Sequence, residues 1–373
     1  MLGKYRLAVD RGADTFCLLE PYADEVFSCW EEVKFCNSTF YIVGRNTLSR
    51  SREDILSKSQ RNVILSYTAE GSAMLIRQIE LLNIMPALSN GTLGLMHGGN
   101  YNTKFKFLTT INDFPCVDIV TAPENLVARQ SWQQVYEDIN KPYSFLMLNG
   151  RLRSHRKYLI DHLRKRGLLE SALWTNLDRD IEIFGTLPTP DWKEPIRLLP
   201  SKYEFTEAAS KFNCIDSQMD WAKSKLFEDV SWGDRIINPR AYIDTYFSLV
   251  TESVFEYDCS FRTEKLWKPM IMCHPFVVAA NPGFYRDLHN IGFRTFGDLI
   301  DEGFDQIHDP VDRAQSIIDV VADICYNGAE KFLNAARATC EYNYQRLLEY
   351  NQQEKSRLIT DLEQYLDKRQ IGN

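Results

Sequence analysis

Short apolar runs alternate with polar stretches of helical spacing along this chain, and the alternation restarts after residue 143. TFCLLE (15–20), STFYIVG (38–44), NVILSYT (62–68) and VDIVTA (117–122) are rich in β-branched and aromatic residues and predict strands. SAMLIRQIELLNI (72–84) has apolar positions at helical spacing, with Pro86 just beyond to end the helix. Strand, helix, strand in that order means a parallel sheet with crossovers. The polar stretch YEDINKPY (136–143) marks a boundary, after which YSFLMLNG (143–150) predicts a strand, SHRKYLIDHLRKRGLL (154–169) a helix and ALWTNL (172–177) another strand. Residues 185 to 235 are poorly patterned and rich in Pro and Trp, which suits an excursion or lid. AYIDTYFSLVTE (241–252) and HPFVVAAN (274–281) restore the strand pattern, and from 311 onward the chain predicts helix. A thin apolar seam of Phe332, Ala336, Leu347, Leu358 and Leu362 runs along that helical part. No repeat and no low-complexity tract interrupts the pattern.

The expected fold is therefore α/β, with two Rossmann-like domains facing one another across a cleft and a helical C-terminal segment. The domains are 1–140, 141–345 and the segment 346–373. An apolar share of 44% supplies both cores, and 25% charged residues is ordinary for a globular protein. The formal net charge of −8 argues against a generic binder of nucleic acid or anionic membrane. No run reaches the roughly 18–20 apolar residues of a membrane span, and MLGKYRLAVDRG lacks the apolar stretch of a signal peptide. Nine scattered cysteines with no CxxC pair read as reduced thiols of a cytoplasmic protein and indicate no zinc site.

Two charged clusters fall where open α/β sheets bind ligands, at the C-terminal ends of strands. In FRTEKLWKPMIMCHPFVVAANPG (261–283), Thr263 is a good N-cap and Glu264 and Lys265 fill the first helical turn. That pair lies at a helix start, whose free N–H groups favour an anion, and can read a nucleotide through the ribose hydroxyls and a phosphate. Equally, Glu264 can simply favour the helix dipole while Lys265 stays solvated. Pro269 removes a backbone hydrogen bond inside the helix and so shortens or kinks it. In NGRLRSHRKYLIDHLRKRG (149–167), Arg151, Arg153, Arg156 and Lys157 crowd a helix start, where cations are unfavourable unless an anion joins them. Arg151 and Arg153 suit a diphosphate, because guanidinium forks grip phosphate oxygens; an ordinary basic helix face is the alternative.

FLMLNGRLRSHRKYLIDHL, followed by VTESVF and FRTEKLWKPMIMCHPFVVAANPGFYRDL, resembles the donor-binding domain of GT-B glycosyltransferases, closest to the alpha-1,3-fucosyltransferase type. With GFRTFGDLIDEGFDQIHDPVDR (292–313) it is also similar to glycosyltransferase-like proteins of large tailed bacteriophages. The resemblance spans about 143–325. It implies a nucleotide-sugar donor as co-substrate with no cofactor, Glu264 on the ribose, Lys265 with Arg151 or Arg153 on the diphosphate, and Glu252 facing the donor cleft. Leu266-Trp267-Lys268-Pro269 stands where the family usually has small residues, so the sugar and base stay open.

An inverting transferase also needs a general base on the acceptor side. Glu70, in NVILSYTAEGSA, sits beyond a strand and beside Gly71 and is the first candidate; Asp10, Asp113 and His97 follow. Glu70 can instead be a first-turn helix acid. His97-Gly98-Gly99, in LMHGGNYN (95–102), reads as a flexible loop lining the acceptor side, or as a turn. Asp178 and Asp180 have the one-residue spacing with which metal-dependent GT-A enzymes hold a cation, a competing reading; GT-B enzymes usually need no metal. The expected acceptor is a glycan or modified-DNA hydroxyl, in the host cytoplasm if the chain is phage-encoded, and association as a homodimer stays open. A non-catalytic protein that keeps the fold is the reading from another class.

Overall fold

The structure is a computed structural model that describes residues 2–13, 15–58, 62–67, 79, 82–101, 120, 125–137, 140–149, 153–176, 204–205, 237–256 and 259–371. The chain divides into two compact units: 1–115 with 257–261 and 352–373, and 116–256 with 262–351.

In the first unit, β1 (Arg6–Asp10) leads through α1 (Phe16–Leu19) to β2 (Glu25–Phe27) and β3 (Thr39–Gly44). Next come α2 (Arg45–Lys58), β4 (Val63–Tyr67), α3 (Met85–Ser89), β5 (Leu93–His97) and the two-residue β6 (Asn100–Tyr101). The five long strands form one parallel sheet in the order β2-β1-β3-β4-β5. Every residue of β3, β4 and β5 is buried, which is why STFYIVG and NVILSYT read as continuous apolar runs. The strand order reverses between β1 and β3.

Two expectations change here. TFCLLE is helical rather than extended: the N–H groups of Leu18 and Leu19 both return to the Thr15 carbonyl. Both edges of β1 are already taken, by β2 and β3, and apolar residues in direct succession do not alternate as a half-buried strand must. LMHGGN is not mainly a loop, since Leu95 to His97 complete β5 and only the glycines turn the chain, Gly99 with φ of 89°. The 72–84 helix and the 117–122 strand fall outside the described residues apart from Ile79 and Val120, both helical. Pro86 stands in the first turn of α3.

Among the described residues, the second unit contains α4 (Leu126–Ser131), β7 (Tyr143–Asn149), α5 (Ser154–Lys165) and β8 (Ala172–Asn176). There follow β9 (Glu204–Phe205), α6 (Pro239–Ile243), β10 (Thr245–Thr251) and α7 (Glu264–Ile271); between the last two lies β11 (Cys259–Ser260), which belongs to the first unit. The remainder is β12 (Phe276–Ala279), α8 (Phe284–Asn290), α9 (Pro310–Asn327) and α10 (Ala329–Ile371). β11 pairs antiparallel with β6, in the first unit. The second sheet runs β12-β10-β7-β8-β9, parallel except for β9. Counted from β7, this is the doubly wound order, with its reversal between β7 and β10. AYID, expected to be extended, forms α6 because the Asn238 side chain caps it and Pro239 starts it.

Each unit has its own core. In the second, Phe145 stacks on Phe247 at 5.5 Å, and Phe332 of α10 meets Phe247 at 5.8 Å and Phe296 at 5.6 Å. Burying one such ring is worth about 1.5–3 kcal/mol. Ala128 and Val135 belong to this core as well. In the first, Leu7, Val9, Phe40 and Ile42 meet Leu358, Leu362 and Leu366 of α10. The fold is thus α/β, built on two mainly parallel sheets. Among the described residues no helix is long and apolar enough to cross a membrane.

Candidate functional site

The second sheet's reversal point gathers Arg153, Arg156, Lys157, Glu252, Glu264 and Lys265 from the charged residues that the sequence singles out. β10 runs through the buried Phe247, Leu249 and Val250 to Thr251 and ends beside Glu252, whose N–H still donates to the Ala279 carbonyl of β12 at 2.9 Å. The Glu252 carbonyl accepts from His155 Nε2 at 3.0 Å and from Arg156 Nη2 at 3.4 Å, both in the first turn of α5. Arg156 Nη2 also donates to the Thr251 carbonyl at 2.7 Å. The Glu252 carboxylate points to α7. Its Oε1 accepts from the Thr263 N–H at 3.0 Å, and its Oε2 accepts from the Thr263 hydroxyl at 2.7 Å and the Ser253 N–H at 3.2 Å.

Thr263 is the N-cap that its sequence context predicts, for its Oγ1 accepts from the Lys265 N–H at 3.3 Å. The same oxygen accepts from Lys265 Nζ at 3.1 Å, and Glu264 Oε1 lies 2.6 Å from that ammonium. Glu264 and Lys265 each keep 20% of their side chains exposed. Burial works to raise the Glu264 carboxyl, but Lys265 and then Lys268 pull it down to about 2. For Glu252 burial prevails and raises the carboxyl, with Lys265 and the Thr263 N–H only partly offsetting it. α7 runs two turns, with Pro269 inside, and stops where Cys273 turns left-handed at φ of 47°.

The loop after β10 is held from below. The His155 ring stacks on Phe255 at 4.8 Å, and the Arg313 guanidinium of α9 lies 4.4 Å from the same ring. Because a carbonyl only accepts, His155 Nε2 carries the proton toward Glu252, leaving Nδ1 3.8 Å from Glu256 Oε1. Burial keeps this imidazole below its ordinary range. Arg153, the N-cap residue of α5, is extended and half-buried, and its charge reaches both His155 and Glu256. The first turn of α5 holds no acidic residue and has no side-chain cap, so its cations oppose the helix dipole. Arg156 is compensated by the two carbonyls, and Lys157 by Asp161 at 2.6 Å.

Arg153, Thr263, Glu264 and Lys265 thus line one sheet edge, with Glu252 beneath them. Two expectations need correcting. Glu252 does not face an open cleft: it is 0% exposed and its carboxylate oxygens accept from Thr263 and Ser253. Its carboxylate also stands at the start of α7, so the anion that this helix end favours is supplied by the chain itself. Arg151, Glu70, Asp113, Asp178 and Asp180 lie outside the described residues.

Among the other base candidates, Asp10 is 1% exposed and ties the end of β1 to the start of α2. Its Oδ1 accepts from the Gly12 N–H at 2.8 Å, and its Oδ2 from the Gly44 N–H at 3.0 Å and the Thr47 hydroxyl. His97 is fully buried at the end of β5, opposite Tyr67, and Gly98 donates to the Tyr67 carbonyl at 3.2 Å. Among the described residues, no group of three or more His, Cys, Asp or Glu side chains could hold a metal ion.

The sequence pattern does not single out His155, Phe255, Glu256 or Arg313. A histidine and an arginine in succession at a helix start are the one local hint. A partly exposed carboxylate beside an ammonium, with a guanidinium nearby, can take a vicinal diol and phosphate oxygens together. No protein-family model, no curated protein and no solved structure matches the chain.

Proposed function

We propose that the chain is a nucleotide-sugar-dependent glycosyltransferase of the GT-B type, with the donor held by the second unit. The observation that carries this reading is the set of Arg153, Glu264 and Lys265 at the C-terminal edge of β7 and β10, where the strand order reverses. Glu264, held ionised by its lysine neighbours, accepts from the ribose hydroxyls. Lys265, Arg153 and Arg151 take the diphosphate oxygens. In the reaction the bond from the anomeric carbon to the diphosphate breaks as the acceptor oxygen bonds to that carbon. The acceptor proton passes to a base, for which Glu70 is the candidate, and the nucleoside diphosphate leaves with its negative charge balanced by the basic side chains rather than by a metal. A glycan or a modified nucleobase is the acceptor.

Calorimetry with a panel of nucleoside diphosphates and sugar nucleotides tests it. Arg153→Ala and Lys265→Ala should each weaken binding roughly ten- to a hundredfold, the scale of one hydrogen bond to a charged group. Unchanged affinity in both variants would overturn the assignment. A mass-spectrometric screen of donor hydrolysis then identifies the sugar.

One observation favours a second reading, a non-catalytic protein that keeps the fold. Lys265 Nζ already donates to Glu264 and Thr263. On that reading no nucleotide binds at all.

A further inference from the structure

We infer that Glu252 is a positioning residue that couples the two halves of the site, the basic start of α5 and the Glu-Lys pair of α7. One residue serves three neighbours through three different groups. Its N–H extends the ladder to Ala279 of β12. Its carbonyl receives His155 Nε2 and Arg156 Nη2 from α5. Its carboxylate receives both donors of Thr263, the residue on whose Oγ1 the Lys265 N–H and ammonium rest.

The geometry makes the coupling mechanical. Moving the Glu252 carboxylate releases Thr263, and with it the side-chain cap of α7. The Glu252 backbone cannot follow without disturbing His155, which is stacked on Phe255, and Arg156, which is shared with Thr251. Arg153 stands two residues before His155. Its placement and that of Lys265 therefore depend on one buried residue, through its carbonyl on one side and its carboxylate on the other. The identity of the ligand rests on the function proposed above; the coupling itself does not.

Two arms separate the two ideas. Without ligand, hydrogen exchange followed by mass spectrometry compares the wild type with Glu252→Gln, which keeps the shape but turns an amide NH2 toward a Thr263 donor. Exchange should quicken about tenfold or more at 263–266 and also at 155–157, the change expected from losing a hydrogen bond to a charged group. The central strand 145–148 should stay protected. Quickening confined to 263–266, or none, overturns the coupling. Should Glu252→Gln fail to fold, Thr263→Val cuts the same link from the α7 side and must affect both stretches, while Thr263→Ser restores the wild-type pattern.

With a nucleoside diphosphate, the penalty of Lys265→Ala should shrink from at least tenfold in the wild type to under threefold in the Glu252→Gln background. A full penalty in both backgrounds overturns the inference. A wild type that binds no nucleotide overturns the proposed function and leaves the exchange arm to decide this one.

Discussion

Replacing Arg313 should strongly destabilise the second unit. The residue is 1% exposed, yet its guanidinium donates to four backbone carbonyls: Ala280 at 3.0 Å, Ile307 at 2.5 Å, His308 at 3.1 Å, and Phe255. Hydrogen bonds to a charged group are worth about 1.5–3 kcal/mol each, so the four sum to roughly 6–12 kcal/mol. Much of this offsets the cost of taking a guanidinium out of water, itself several kcal/mol. Arg313→Met removes the charge and that cost but leaves four carbonyls facing an apolar chain. The net loss should be about 3–5 kcal/mol, the range for breaking a buried charged contact from one side. Urea denaturation followed by tryptophan fluorescence measures it, since Trp267 is 2% exposed in the same core. The midpoint should fall by roughly 1 M or more. Arg313→Lys should recover less than half, because a single ammonium lacks the fork that reaches across several carbonyls. A Met variant within about 1 kcal/mol of wild type would refute the reasoning, for it would mean that desolvation cancels the bonds entirely.

His274 gives a pH prediction. It is 1% exposed; Nε2 donates to the Thr245 carbonyl at 2.9 Å, Nδ1 accepts from the Ser248 hydroxyl at 2.9 Å, and burial lowers the imidazole to about 3. A group depressed in the folded state stabilises above its unfolded pKa, near 6.5, and loses that contribution as pH falls toward 3, here up to about 4 kcal/mol. Urea midpoints measured from pH 7 to pH 4 should therefore decline less steeply for His274→Gln, and equal slopes would discount the residue. In the first unit, a Cβ on Gly44 would lie 2.3 Å from the Gly12 carbonyl oxygen, so Gly44→Ala must displace backbone. A loss of about 3 kcal/mol or more is expected in thermal melts, and an unchanged Tm would deny the close approach.

The strands legible in the sequence are those buried on both faces, such as Thr39–Gly44 and Phe276–Ala279, where β-branched and aromatic residues follow one another. Arg6–Asp10, Glu25–Phe27 and Leu93–His97 escape the pattern because they are short, begin with a charge or contain glycine. Gly94 sits within β5 because a side chain there would meet Tyr365, whose hydroxyl stands 2.2 Å from the Cβ position. Local chemistry reads well: Thr263 is visible as a cap because cap and capped N–H are two residues apart. What Glu252 does was not readable, because its partners are far along the chain. Thr263 is 11 residues away and His155 is 97, so only the folded sheet shows that a residue at a strand end meets one helix through its carboxylate and another through its carbonyl.

The helix α10 sets an order of events for a chain leaving the ribosome. Its residues up to 351 belong with the second unit, and those from 352 with the first. Leu2, Leu7 and Val9 are made long before Leu358, Leu362 and Leu366, which complete their core. The unit encoded first therefore closes last, carrying a long-range loop closure that the second unit largely avoids. Until then the apolar face of its sheet lacks the cover of Leu358, Leu362 and Leu366 and is a natural place for a chaperone to hold.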